Sequence, residues 1–261
     1  MVAKLKTYWY YWIKSSELTL VSLVATRLSS ILFITGKFAR FFLYIIFLLV
    51  LKDKIQLVAG YSIDQLITFF LIFNLFDLLG QFLYRGIYWF RSEIISGNFD
   101  YRLLKPISPL FQIMTKHTDF LDLPLLVLVI TFLVKRFPQV SPIELLHFGI
   151  LSLASLIILT PLHIVIASIG VMTTEVDHTM WIFRDLSEMA KVPIDIYVEF
   201  IRTFLTYIVP IAVIFTFPAK SLYGLIPSPT IFIALAISLT VYFLSFKFWH
   251  FSLTKYSSAS S

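Results

Sequence analysis

The stretch LLHFGILSLASLIILTPLHIVIASIGV, residues 145–171, decides the fold class. It carries no Asp, Glu, Lys or Arg, and a bilayer core of about 30 Å needs roughly 20 such residues in helix. Five further runs of this kind lie on either side of it, at 28–51, 64–84, 113–134, 198–217 and 230–250. Each is expected to be helical, because lipid offers no water to unpaired backbone groups. Runs this long without alternation do not fit a β-barrel. Composition agrees: 59% of residues are hydrophobic, 14% are charged and Phe occurs 27 times, where a soluble domain has about 25% charged residues. The chain reads as an all-α polytopic membrane protein with six transmembrane helices.

Orientation follows from Lys and Arg, which favour the cytoplasmic side. A cytoplasmic N-terminus leaves only Lys52, Lys54, Lys135, Arg136 and Lys220 outside, and six spans return the C-terminus to the cytoplasm. The net charge of +6 then reflects that bias, and no nucleic-acid partner is implied. With no Cys, disulfides and thiolate metal sites are excluded, in keeping with a bacterial inner membrane. MVAKLKTYWYYWIKSS lacks the pattern of a cleaved signal peptide, and the final SSASS is low-complexity.

Residues 1–27 form a separate unit, followed by the six-span region 28–250 and a short cytoplasmic tail, 251–261. In that first unit Leu5, Tyr8, Trp9, Trp12 and Ile13 fall on one helix face, with Lys4, Lys6 and Lys14 off it. The segment is expected to lie on the inner leaflet as an amphipathic helix, or else to be an early start of the first span. Within that span Lys37 and Arg40 share a helix face. Either they snorkel to the interface, or they face a protein-lined cavity or a partner.

No catalytic signature is present. The eight glycines never form a P-loop, and HExxH and GxSxG are absent. His117 with Asp119 and Asp122, and Glu175 with Asp177 and His178, resemble ligand clusters, but interfacial polar residues account for them. Three polar segments stand out. Residues 85–112 contain a short amphipathic helix with Ile87, Phe90, Ile94 and Ile95 on one side and Arg91, Ser92 and Glu93 towards the other, stopped by Gly97-Asn98. That segment is either a lever for a soluble motor or a plain connector. Glu188, Asp195, Glu199 and Arg202 line one face before and into the fifth span if helix continues through Pro193, as an interfacial cluster or a subunit contact. The segment FPAKSLYGLIPSPT, 217–230, is either a re-entrant cap or a loop, and Pro210 predicts a kink.

Three stretches carry a resemblance: AGYSIDQLITFF (59–70), SEIISGNFDYRLLKPISPL (92–110) and AKVPIDIYVEFIRTFLTYIVPIAVIFTFPAKSLYG (190–224). In this order they resemble the ABC-2-type permeases, the transmembrane subunits of bacterial ABC exporters whose ATPase is a separate chain. The resemblance implies a coupling helix within Arg85–Asp100, with Arg85, Tyr88, Arg91, Glu93, Gly97 and Asp100 facing or shaping the contact with the ATPase. It also implies a polar face on the fifth span (Asp195, Glu199, Arg202), an outer cap (Pro218, Gly224, Pro227) and a dimer with a second permease, the same chain or a related one. ATP and Mg would be bound by the partner ATPase, and this chain would hold no cofactor and no metal. The alternatives are an ATP-independent lipid scramblase or carrier and, more remotely, an intramembrane transferase. The apolar, aromatic spans favour an amphipathic or hydrophobic cargo.

Overall fold

The structure, a computed structural model, describes residues 2–257, and side chains from Leu5 onwards. Most of the SSASS tail, Met1 and the Lys4 side chain therefore lie outside the described residues. Helix α1 (Val2–Ala25) breaks at Thr26 before α2 (Arg27–Lys52). A hairpin of β1 (Leu57–Val58) and β2 (Tyr61–Ser62) leads into α3 (Ile63–Tyr84). There Ser62 and Gln65 form a reciprocal capping box that satisfies the first backbone donors. Short helices follow: a 3₁₀ turn Arg85–Trp89, α4 (Phe90–Ile95), α5 (Asn98–Leu103) and α6 (Pro109–Thr115). Then come α7 (Leu123–Val134) and α8 (Pro142–Thr173), the latter opened by a second capping box of Ser141 and Glu144.

Helix α3 is the centre of the bundle. Its most apolar window is 67% buried, against 11% for α2, so α2 leaves most of its surface to lipid or to another protein. Its two ends define the two ends of the molecule. At the hairpin end Lys52 pairs with Asp64 at 2.8 Å and Arg136 reaches the Asp64 carbonyl. At the other, Phe90, Ile94 and Phe99 of the short helices pack with Ile113, Ile164, Val171 and Trp249 in one apolar cluster. The last helix, α12 (Ser228–Thr254), therefore runs parallel to α8, both delivering their C-terminal turns to the short-helix end.

Among the described residues four helices are long and apolar enough to cross a membrane, or five if one bent pair counts as a span. Two expected spans differ from single helices. The run 113–134 is interrupted between α6 and α7, where Asp119 caps the Leu121 amide and Pro124 opens α7. Only 12 residues remain in α7, about 18 Å at 1.5 Å per residue.

The run 198–217 departs further. It folds as Glu199–Ile208 and Ala212–Ser221, bent by 86° at Pro210, with π-type turns on both sides of the break. It begins beside Asp195, whose carboxylate accepts from Tyr61 at 2.7 Å, and it ends at Lys220, which pairs with that same carboxylate at 2.7 Å. Both of its ends therefore lie at the hairpin end, while its middle packs inward, with Phe215 on Phe73 and the Val213 and Ile214 carbonyls accepting from Ser155.

The stretch ahead of it traverses the bundle instead. Helix α9 (Val176–Glu188) and the turns to Ile196 run antiparallel to α3 over its whole length. Asp177 meets Arg91, Arg184 meets Tyr88 and Asp77, Lys191 lies over Phe73, and Asp195 meets Tyr61. Hydropathy overlooked this stretch because it carries Asp177, Arg184, Asp185, Glu188 and Lys191.

Gly86 seats the first turn after α3 directly against α6: a Cβ there would fall on the Ile113 carbonyl oxygen, whereas Gly36 faces open space. Gly86→Ala is expected to cost about 1–3 kcal/mol through overpacking against backbone, and Gly36→Ala close to nothing. Thermal unfolding in detergent checks both; equal melting temperatures would remove this contact from the account.

Candidate functional site

Two groups of residues deserve the name of a site: the surface of the short-helix segment, and a set of charges buried between helices. In the first, the 3₁₀ turn and α4 direct Ile87, Phe90 and Ile94 inward, as their spacing predicted, but Ile95 is 54% exposed. Glu93, expected on the outer side, is buried and accepts from Arg102 and Lys116. Gly97 adopts φ +71° between α4 and α5, a left-handed conformation that glycine takes at little cost. That turn brings Arg102 back under α4, which makes the Glu93–Arg102 pair possible. Arg85 lies 3.5 Å from Asp119, Tyr88 bonds Arg184, Arg91 lies 3.6 Å from Asp177, and Asp100 accepts from Tyr256 at 2.9 Å. Burial, with the Asp100 carboxylate beside it, pushes the Tyr256 hydroxyl up to about 12, so it remains a donor. Arg91, Ser92, Ile95 and Ser96 are left outward as one exposed edge.

The second group answers the question of Lys37 and Arg40. Lys37 turns into the bundle, with its side chain mostly buried. Its ammonium binds Asp122, which is fully buried, and lies 3.7 Å from Asp119. Arg40, one turn on, is largely exposed and pairs loosely with Glu188 at 3.8 Å, while Lys191 holds Glu188 at 2.9 Å. Arg184 and Asp77 pair at 3.2 Å, both mostly buried. A cavity of about 550 Å³ lies between α2 and α3, with Lys37, Arg40, Asn74, Asp77 and Lys191 among its walls beside Phe41, Phe70 and Phe73. It presents polar groups between aromatic walls at mid-height of the bundle.

The sequence reading missed the partners: Asp77, Arg184, Arg102 and Lys116. Asp77 left a signal, as the one charge in the apolar run 65–84. The ligand-like clusters are spent on ion pairs, Asp119 and Asp122 on Lys37 and Arg85, Glu175 on His178 and Asp177 on Arg91. No group of three metal-ligating side chains occurs among the described residues.

Asp195, Glu199 and Arg202 do not share a helix face. Helix stops before Pro193 and restarts at Glu199, so Asp195 turns to Lys220 and Tyr61 while Glu199 and Arg202 remain exposed. Arg202 accordingly lies one turn from the hairpin end, where the charge rule had put it at the opposite face. In the expected cap, Pro218 is buried at the start of α11 (Phe217–Ser221), and Pro227 precedes α12. Gly224 takes φ +62° against Glu144.

The first unit also differs in detail. Tyr8 stacks 4.8 Å from Phe111 and its hydroxyl accepts from the Ser108 amide, so the expected apolar face is divided. Leu5, Trp9 and Ile13 remain exposed.

Lys37→Met strands the buried Asp122 carboxylate and is expected to cost about 3–5 kcal/mol. Lys37→Met with Asp122→Asn should recover most of that loss. A thermal double-mutant cycle in detergent reads the coupling; strictly additive losses would mean that the pair does not support the fold.

Comparison with known proteins places this arrangement. No curated protein and no solved structure matches the chain. A family model described as ABC-2 family transporter protein matches residues 38–260, a range that takes in α2 from Phe38, the short helices, the charged stretch and the bent pair. The chain belongs to the ABC-2 transporter family.

Proposed function

We propose that this chain is the transmembrane subunit of an ATP-driven exporter, working as a dimer with a second permease and coupled to separate ATPase subunits that bind ATP and Mg. Family membership supports a permease of an ABC transporter in general. The observation that carries the finer reading is the bracing of α4. Its inner face packs with residues of α6, α8 and α12, Arg91 reaches Asp177 of α9, and Arg91, Ser92 and Ile95 are left bare. A push on that edge is delivered to several helices at once. ATP moves the equilibrium only if the motor binds one arrangement better than the other.

The topology that fits this role has six crossings: α2, α3, α7, α8, the charged stretch 176–196 and α12. The short-helix end is then cytoplasmic, both termini included, in a bacterial inner membrane. The bent pair 199–221 enters and leaves from the outside as a re-entrant cap. The charged fifth crossing, with Glu188 and Lys191 beside the 550 Å³ cavity, becomes part of the pathway, and the barely buried α2 becomes a surface for the second permease.

Two experiments test this. Purification of the tagged chain from native membranes in mild detergent is expected to bring down a P-loop ATPase in stoichiometric amount, and the pair Arg91→Glu, Ile95→Asp to lose it. A chain that purifies alone from several detergents would sink the motor-driven reading. For topology, the chain has no Cys, so Val198→Cys, 67% exposed, is a single reporter. A membrane-impermeant maleimide should label it in intact cells and leave Ser92→Cys unlabelled. Labelling of Val198→Cys only after permeabilisation would return 199–208 to a cytoplasmic start.

A further inference from the structure

Helix α1 is not a free appendage. Tyr8 meets Ser108, Tyr11 donates to the Gln112 carbonyl, Ser15 to that of Lys116, and Ser16 pairs with Thr118 at 3.0 Å. The helix thus runs alongside 108–118 in the same direction. The chain then breaks at Thr26, and α2 comes back to the same place, where Lys37 binds Asp119 and Asp122. The two arms are pinned ten and eleven residues from the break, about 15 Å each way. They make a wedge around a cavity of about 750 Å³.

The chemistry of this wedge is divided. Its walls carry Lys14, Arg85, Arg102, Lys105 and Lys116 against a single carboxylate, Asp119. Glu93 and Glu17 neutralise three of these cations from outside the cavity, which leaves five positive charges against three negative. Lys105 has no ion-pair partner among the described residues. Along the α1 arm Ser15, Thr19, Ser22 and Thr26 line the cavity at helical spacing, and Ser15, Thr19 and Thr26 donate to the Lys116, Ser15 and Ser22 carbonyls. The surfaces flanking the wedge are apolar and bare: Leu18, Val21, Val24, Leu28 and Leu32 are each about 60–70% exposed.

We propose that the wedge holds one anionic phospholipid. The phosphate rests on Lys105, with Arg102 and Lys116 beside it, the Ser22 hydroxyl donates to a glycerol ester, and the acyl chains leave past Leu18 into the bilayer. The excess of positive charge selects an anionic headgroup, and the bare apolar arms select a ligand that arrives from the membrane and carries its own hydrocarbon. The orientation proposed above puts the site in the cytoplasmic leaflet, where anionic lipids attract basic segments. Binding itself needs neither the ATPase nor that orientation, so its test is independent of the transport reading.

The test is native mass spectrometry of the full-length permease, delipidated and then titrated with phosphatidylglycerol or phosphatidylcholine. One phosphatidylglycerol per chain is expected to be retained, with phosphatidylcholine lost at lower collision energy. Each cavity lysine contributes about fivefold to affinity. Lys14→Gln with Lys105→Gln, both exposed positions, should therefore weaken phosphatidylglycerol roughly 25-fold, and Lys54→Gln at the hairpin end should not. Equal retention of the two lipids, or an unaltered affinity in the double variant, overturns the site. Displacement of phosphatidylglycerol by millimolar inorganic phosphate would assign the cations to a soluble anion and overturn the lipid as occupant.

Discussion

A charge inside a bilayer has no water to turn to, and this bundle is arranged around that shortage. Several charges between the helices have opposite partners: Lys37 on α2 with Asp122 ahead of α7, Asp77 on α3 with Arg184 on α9, and Glu188 with Lys191 of its own stretch and, more loosely, with Arg40 of α2. Removing one member of a buried pair costs far more than the pair itself contributes. The pairs therefore act as registers, fixing which turn of one helix faces which turn of the next. The break at 116–119 is held by the Asp119 cap on the Leu121 amide, with Pro124 opening the next helix.

The short-helix end works by a different principle. There the apolar cluster of Phe90, Phe99, Ile113, Val171 and Trp249 supplies cohesion, and Glu93 with its two cations closes one side of it. Apolar packing transmits displacement because close-packed side chains compress little. The two halves of the molecule thus cohere differently, one by close apolar packing and one by paired charges.

Much of this was legible in the sequence, and the failures have a common cause. Apolar runs identified α2, α3, α8 and α12, because hydropathy reads helices that face lipid or a dry core. The same signal read 198–217 as one helix, which the structure bends by 86° with its second half buried beside Phe73 and Ser155, and it passed over 176–196, where Arg184 and Glu188 find partners. Hydropathy reports the solvent a residue would choose alone, and neither segment is alone. In the short-helix segment, helical spacing placed Phe90 and Ile94 correctly. It failed for Glu93, because a carboxylate goes inward when Arg102 and Lys116 await it, and no apolar pattern announces that the left-handed Gly97 returns Arg102, nine residues on, to α4. The ABC-2 resemblance motifs around 92–110 and 190–224 pointed to the right regions without specifying these contacts.

The charged stretch 176–196 also constrains how the protein is made. A charge at the centre of a lone helix raises the cost of insertion by about 2.5–3.5 kcal/mol on translocon scales, so a segment bearing Arg184, Asp185, Glu188 and Lys191 does not partition into lipid unaided. It needs a host already in place. Helix α3, earlier in the chain, carries Asp77 at the height of Arg184, and α2 carries Arg40 opposite Glu188. Biogenesis on the proposed topology is accordingly ordered: the N-terminal helices settle first and act as an intramolecular chaperone for the fifth crossing, and a lesion at Asp77 would be felt at the ribosome before it was felt in transport.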